Sequence, residues 1–289
     1  MKKFYLLIIT LLLVPLLLFG GYRYKLSIAS VFQNEADYLK EWIEFHRIVG
    51  VEHFYLYNNE SSDHYMEVLK PYVDKGIVEL IQWPNLWPDR LFFEGCQIFA
   101  YEDALSRARK ESKWLALIDT DEFIFPTQGG SLLKYLDRNY DKFSGVAINW
   151  QCYGTSNVIL QPGELMLEKL VLKAPENEFK NTWYKMIVKP KDVTQCASVH
   201  FCLFKQGKYA VDTHKDPSIH SHRFIYTDCL RINHYWFRDY HFLHNIKMPR
   251  YRVWGWPAEA LPLTDEMFSV VEDKSIYIFL PQLKKQMGL

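Results

Sequence analysis

The chain has 289 residues, 49% hydrophobic and 16% aromatic, with 34 basic against 34 acidic side chains and no net charge. This is enough apolar material for one large α/β domain and excludes a disordered chain. The even charge balance speaks against a dedicated nucleic-acid binder. Five cysteines (Cys96, Cys152, Cys196, Cys202, Cys229) without a C-x-x-C speak against a zinc ribbon or disulfide framework; a single bridge fits the count, and spacing does not select its pair.

Met1-Lys-Lys precedes an uncharged apolar run over residues 4–21, at the short end of what spans a bilayer. No small-x-small cleavage site follows directly, and Tyr22-Arg-Tyr-Lys25 reads as an interfacial belt. Residues 1–25 are therefore expected to be an uncleaved single-pass membrane anchor rather than a secretory signal, with 26–289 as one domain close against the membrane. Lys2 and Lys3 are balanced by Arg23 and Lys25, so the positive-inside rule sets no orientation.

Residues 26–32 are predicted as a buried strand, followed by a turn at Gln33-Asn34-Glu35. From 36 to 49 the chain reads as a helix, because Leu39, Trp42, Ile43 and His46 share one face; Gly50 ends it. A strand over 52–57 closes in the polar turn Asn58-Asn59-Glu60-Ser61-Ser62-Asp63, followed by a helix over 63–74 and a strand over 77–82. Trp83-Pro-Asn-Leu-Trp87-Pro88 is a rigid aromatic loop. Ile98, Tyr101, Leu105 and Ala108 mark a helix ending near Glu111, and the aliphatic run 114–118 is a fourth strand. Alternating strands and helices predict a parallel sheet with helices over it, whose ligands bind beyond the carboxyl ends of the strands. Asn34 and Glu35, Asn58 and Asn59, and Asp119 and Asp121 would meet on that edge.

The fourth strand ends in Asp119-Thr-Asp121-Glu122. Three carboxylates at the edge of a core repel one another and are costly to desolvate, so they call for a cation or several donors. A hard divalent ion shared with phosphate oxygens meets that need. For the triplet alone, an acidic strand exit with Asp119 or Asp121 capping a turn is the plainer explanation. Beyond Gly130 the character changes to short strands at 145–150, 184–188 and 198–204 and a helical piece at 239–246. Without a Pro/Gly/Ser linker, this reads as an elaboration of the same domain.

Ser30-Val-Phe-Gln-Asn34-Glu35 with Trp42 and His46, and Gly50-Val-Glu-His53 through Asn58-Asn59, resemble the opening of family 92 glycosyltransferases. Lys113-Trp114 through Asp119-Thr-Asp121-Glu122, Asn149-Trp150 with Tyr153-Gly154-Thr-Ser156, Tyr184-Lys185, and Ile232-Asn-His234-Tyr235 with Arg238 are similar again, in order over about residues 26–250. The resemblance implies a GT-A type fold: a mainly parallel sheet flanked by helices, with a Rossmann-like nucleotide-binding half and an irregular C-terminal acceptor half. It also implies a nucleotide-sugar donor, with UDP-sugar and galactose favoured, and inversion at the anomeric carbon. The acceptor would be a glycan or glycoconjugate hydroxyl, and Mn2+ or Mg2+ would sit on the D-x-D pair.

On that reading Asp121 ligates the metal, Asp119 takes the metal or the ribose, and His234 is a late metal ligand, since imidazole suits manganese-like ions. Asn34, Glu35, Asn58 and Asn59 would bond the nucleoside, and Lys185 or Arg238 would offset phosphate charge. Asn58-Asn59 also fits plain turn chemistry, His234 a core histidine, and Lys185 a solvated strand charge. Trp83, Trp87 and Trp150 are either core or sugar-stacking faces. An inverting reaction needs a base for the acceptor hydroxyl; Glu94, Asp228 and Asp239 are candidates, with His200 another option. A competing enzyme reading is a metal-dependent hydrolase using Asp119 and Asp121 with His220-Ser-His222, which would bind metal without a nucleotide. A third is an inactive, membrane-tethered carbohydrate-binding module, against which the intact D-x-D speaks.

Overall fold

The computed structural model describes residues 21–84, 91–217 and 225–289, with the backbone alone for 91–95. Residues 1–20 of the expected anchor, His220, His222 and Trp87 lie outside it, as does the side chain of Glu94. Among the described residues no helix is long and apolar enough to cross a membrane. The expected interfacial belt is in part domain: Tyr24 already opens the first strand and stacks on His53 at 4.2 Å between ring centroids.

The first half alternates as predicted. Strands β1 (Tyr24–Phe32), β2 (His53–Asn58), β3 (Val78–Gln82) and β4 (Ser112–Leu117) are joined by helices α1 (Ala36–Ile48), α2 (Tyr65–Val73) and α3 (Leu91–Glu111). They pair in parallel in the order β3-β2-β1-β4. Along β1, Leu26, Ile28 and Phe32 join the core shared with α1 and α2, while Ala29 and Val31 face the core formed with α3. That two-sided burial is why the strand reads as a continuous apolar run. In α1, Leu39, Trp42, Ile43 and His46 are all fully buried. Gly50 ends the helix with φ +106°, and a Cβ there would lie 2.9 Å from Ser131 Oγ, so both conformation and space require glycine.

The second half departs from the parallel pattern. It comprises β5 (Glu122–Pro126), α4 (Leu132–Asn139), β6 (Gly145–Cys152), α5 (Met166–Lys169), β7 (Leu172–Lys173) and β8 (Tyr184–Val188). Then come β9 (Val193–Cys196), β10 (Cys202–Phe204), β11 (Ala210–Val211) and β12 (Leu230–His234). The full order is β3-β2-β1-β4-β8-β6-β12-β5, with β11 beside β6. Strand β8 runs antiparallel between β4 and β6, and β5 pairs antiparallel with β12 at the far edge. The chain thus leaves the middle of the sheet after Leu117 and re-enters at its edge at Glu122, with the carboxylate triplet on the crossing. The result is a mixed α/β fold with a mostly parallel central sheet flanked by helices. After β12, residues 240–253 form one continuous helix, α6 (Tyr240–Phe242) and α7 (Met248–Val253) joined by a π-turn at Leu243–Lys247, longer than the expected 239–246 piece. Helices α8 (Leu261–Phe268) and α9 (Leu280–Met287) close the chain on the core.

Two predictions arise here. Gly154 lies against α8 so closely that a Cβ would come 2.0 Å from Ser269 Oγ and 2.9 Å from the Asp265 carbonyl. Gly154→Ala must displace α8 and its Asp265–Thr155 bonds of 2.6 and 2.7 Å, at a cost of roughly 1–3 kcal/mol. An unchanged urea midpoint would refute this. Buried His46 donates from Nδ1 to the Trp42 carbonyl at 2.8 Å and accepts at Nε2 from Ile124 N at 3.3 Å. Burial pushes its ring down to about 3, against the opposing hydrogen bond to Trp42. An unfolded imidazole takes its proton near pH ~6.5. The unfolded chain therefore binds more protons between these values, and this group's contribution to stability falls as pH drops through that window. NMR of the ring should show it neutral at pH 5; an ordinary titration midpoint would overturn the reading.

Candidate active site

A cleft of about 210 Å³ opens at the carboxyl ends of β1, β2 and β4. Its floor is Phe32, Gln33 and Glu35 after β1, Asn59 after β2, and Asp119, Thr120 and Asp121 after β4. The convergence expected from topology is present. Its opposite wall comes from the end of the molecule: Trp236, Lys247, Arg250, Tyr251, Trp254 and Trp256.

The two aspartates of the D-x-D are used differently. The Asp119 carboxylate meets Lys185 Nζ at 3.0 Å and accepts hydrogen bonds from Gln97 Nε2 and, at 3.3 Å, from Tyr101 Oη. Lys185 is 1% exposed, so it is neither a solvated strand charge nor part of the cleft lining. Burial works against its charge, but Asp119, Glu122 and Asp121 together raise its pKa, and it stays an ammonium. Glu122 is fully buried and accepts from Asp119 N at 2.8 Å, bracing the turn. Burial drives its carboxyl well above the ordinary range, against the opposing charge of Lys185.

Asp121 turns instead to His234, whose Nε2 lies 3.5 Å from its Oδ1. The register of β12 on β5 makes this contact, pairing His234 with Glu122, and Tyr235 N donates to the Asp121 carbonyl at 2.9 Å. Burial would raise the Asp121 carboxyl, yet His234, Arg238 and Lys247 outweigh it and hold the group below the usual carboxylate range. At 3.5 Å the His234 contact is electrostatic rather than a good hydrogen bond. Asp121 Oδ1 is accordingly buried without a hydrogen-bond partner, and so is His234 Nδ1. Among the described residues, the ligand atoms of Asp119, Asp121 and His234 do not all come within 4.8 Å of one another. Strand β8, antiparallel between β4 and β6, brings Lys185 to Asp119, whereas Asp121 faces His234. Asp121 Oδ1, which no hydrogen bond satisfies, and His234 Nε2 face each other across that 3.5 Å gap, an oxygen and a nitrogen of the kinds that a manganese-like cation takes.

The other expected residues divide as follows. Asn59 lines the cleft and donates to the Trp83 carbonyl at 3.0 Å. Asn58 is committed to its turn, bonded to Tyr65 Oη, Gln82 Oε1 and Ser61 N at 3.0, 2.7 and 3.0 Å. Asn34, at φ +55°, accepts from Ser62 N at 2.8 Å and serves loop-to-loop contact. Arg238 is buried behind the floor, where it pairs with Glu35 at 2.5 Å and lies 4.5 Å over the Tyr38 ring. It does not line the cleft, and its charge reaches the floor at Glu35 and Asp121.

Among the described side chains, the base candidates Asp239, Asp228 and His200 do not line the cleft. Asp239 caps the following helix, accepting from Phe242 N and Leu160 N at 2.8 Å each, so both its oxygens are occupied. Asp228 is exposed and paired with His214 at 2.8 Å. His200 donates to the Tyr184 carbonyl at 2.8 Å, and its pKa is lowered to about 4, first by burial and then by Lys185. Trp83 donates to the Cys96 carbonyl at 3.1 Å, and Trp150 packs 4.2 Å from the His234 ring, so both act as framework.

Lys247, Arg250, Trp254, Trp256 and Gln97 escaped the sequence reading. Lys247 and Arg250 are three apart, the spacing that shares a helix face, and that was the available signal. Lys247 sits in the π-turn, a feature frequent at functional sites. It donates to the Trp236 carbonyl and lies 4.4 Å from the Trp236 ring centroid. Burial pushes its ammonium down to about 7, against the attraction of Asp121.

The sequence profile described as glycosyltransferase family 92 matches residues 22–257. The chain belongs to glycosyltransferase family 92. Every residue lining the cleft of this family 92 chain falls within the matched span. A family 92 protein of Ricinus communis is 28% identical over 215 residues, which cover 69% of this chain and 35% of that protein. One of Arabidopsis thaliana is 27% identical over 201 residues, covering 65% and 33%. The chain thus spans about a third of the length of these relatives. Among solved structures, S. aureus TarS 1–349 shares 14% identity at a TM-score of 0.37, over 57% of this chain and 47% of that one. The glucosyl-3-phosphoglycerate synthase of Mycobacterium tuberculosis, in complex with Mn2+, UDP and glucosyl-3-phosphoglycerate, shares 12% at a TM-score of 0.32, over 58% and 57%.

Proposed function

We propose that this chain is an inverting glycosyltransferase moving a sugar, with galactose favoured, from a UDP-sugar to a hydroxyl of a glycan or glycoconjugate. Asp121 and His234 would hold Mn2+ or Mg2+. The observation that carries the reading is Asp121 Oδ1, buried and without a hydrogen-bond partner at the carboxyl edge of β4, 3.5 Å from a histidine nitrogen. A bound cation supplies charge neutralisation for the departing diphosphate. Lys247 and Arg250 line the same cleft and can meet diphosphate oxygens, Arg250 in bidentate fashion. Trp236, Trp254 and Trp256 offer aromatic faces to sugar rings. Lys185 and Glu122 hold Asp119 and the turn rigid, so that Asp121 is presented without reorganisation. Residues 4–21 are proposed to tether the domain to a membrane, which rests on their uncharged sequence.

The test is a panel of nucleotide sugars scored for thermal stabilisation and for manganese-stimulated donor hydrolysis. UDP-sugars are expected to stabilise the chain in the presence of manganese. Silence toward the whole panel, or a response unchanged in Asp121→Ala, would sink the transferase reading.

A further inference from the structure

We propose that Cys196 and Cys202 form an intrachain disulfide that stiffens the hairpin standing behind the candidate active site. Strands β9 and β10 pair antiparallel with Cys196 directly opposite Cys202. Directly opposed residues in an antiparallel pair have Cα atoms about 4.5–5.5 Å apart, inside the roughly 4.4–6.8 Å that a disulfide accepts. The two Sγ atoms are already 3.4 Å apart, and both residues are buried, 2% and 1% exposed. A disulfide needs about 2.0 Å between the sulfurs, so they must approach by a further ~1.4 Å. A shared metal is a poorer reading of the pair, because among the described residues the one group of three converging ligands is His214, Asp228 and Cys229.

The hairpin has a mechanical task. It forms a two-stranded sheet separate from the main one, and such ribbons are marginal without outside support. Its tip carries His200, which bonds the Tyr184 carbonyl next to Lys185 and packs against Trp183 and Trp150 at 4.8 and 5.3 Å. Trp150 lies 4.2 Å from His234. On the other side, Cys196 N donates to Glu102 on α3, the helix that supplies Gln97 and Tyr101 to Asp119. Locking this ribbon therefore supports both Asp119 and His234.

The chemistry balances with a small disulfide, such as oxidised glutathione, as oxidant. One cysteine loses its proton to solvent, and its thiolate attacks a glutathione sulfur, expelling one glutathione thiolate. The second cysteine then loses its proton and attacks the protein sulfur of the mixed disulfide, expelling the other. Two electrons pass to the oxidant, which leaves as two glutathiones. Contact with Cys196 and burial push the Cys202 thiol well up, so exchange belongs to folding or to local opening of the hairpin. A closed pair is the state expected in an oxidising compartment.

The test refolds the full chain in glutathione redox buffer or in dithiothreitol, alkylates it under denaturing conditions, and maps the cysteine peptides by mass. The oxidised sample should contain the Cys196–Cys202 link and melt a few degrees higher. Reduction and Cys202→Ser should each remove that gain. Alkylation of both residues after oxidative refolding, a link from either to Cys96, Cys152 or Cys229, or a correct link with no gain in melting temperature would overturn the proposal.

Discussion

Asp121→Asn should lower manganese-dependent transfer by about 10³-fold, equal to ~4 kcal/mol of transition-state stabilisation. That is the scale of charge stabilisation a catalytic cation provides. Asparagine keeps the volume and the backbone, so the bond from Tyr235 N to the residue 121 carbonyl survives. What is lost is the anionic oxygen that no hydrogen bond satisfies. Asp119→Asn removes the partner of a buried lysine, so it should lower the urea midpoint more than it weakens manganese affinity. Kinetics over a manganese series with both variants distinguishes the roles. An equal rise in the manganese requirement would show that both aspartates ligate the ion, contrary to the geometry described above.

Arg238→Met should destabilise the fold by about 3–5 kcal/mol, the usual cost of stranding one member of a buried ion pair. Glu35 would be left beside Asp121 without its 2.5 Å partner. Its carboxyl is already raised, mainly by burial and also by Asp121, with Arg238 as the chief opposing influence. Glu35→Gln combined with Arg238→Met removes the stranded charge and should recover most of the loss. Urea denaturation of the two single variants and the double completes the cycle. A double variant whose loss equals the sum of the two single losses would mean that the pair is not energetically coupled.

Much of the parallel half was legible because each signal there is local. The Leu39–Trp42–Ile43–His46 face needs no knowledge of its partner, and neither does Gly50 as a stop. The alternation through four strands carried the prediction that Asn59, Glu35 and the D-x-D share an edge. Some local signals were read too generously: Asp239 ahead of a helix is an ordinary N-cap, and Asn58 bonds Ser61 N in its own turn, Tyr65 on α2 and Gln82 at the end of β3. The irregular half was less legible. Strands of five residues such as β5, β8 and β12 carry little periodicity, and their partners lie far away in sequence.

The α/β class, the parallel half with its helices, the carboxylate triplet at a strand end and the ordered resemblance to family 92 are all written in the chain of residues. The pairing of Asp119 with Lys185 and of Asp121 with His234, and the wall of Lys247 and three tryptophans, emerge only on folding. Periodicity reports which face of an element is buried. Contacts across an antiparallel register depend instead on strand order and crossing paths, which here carry the chain from the centre of the sheet to its edge between Leu117 and Glu122.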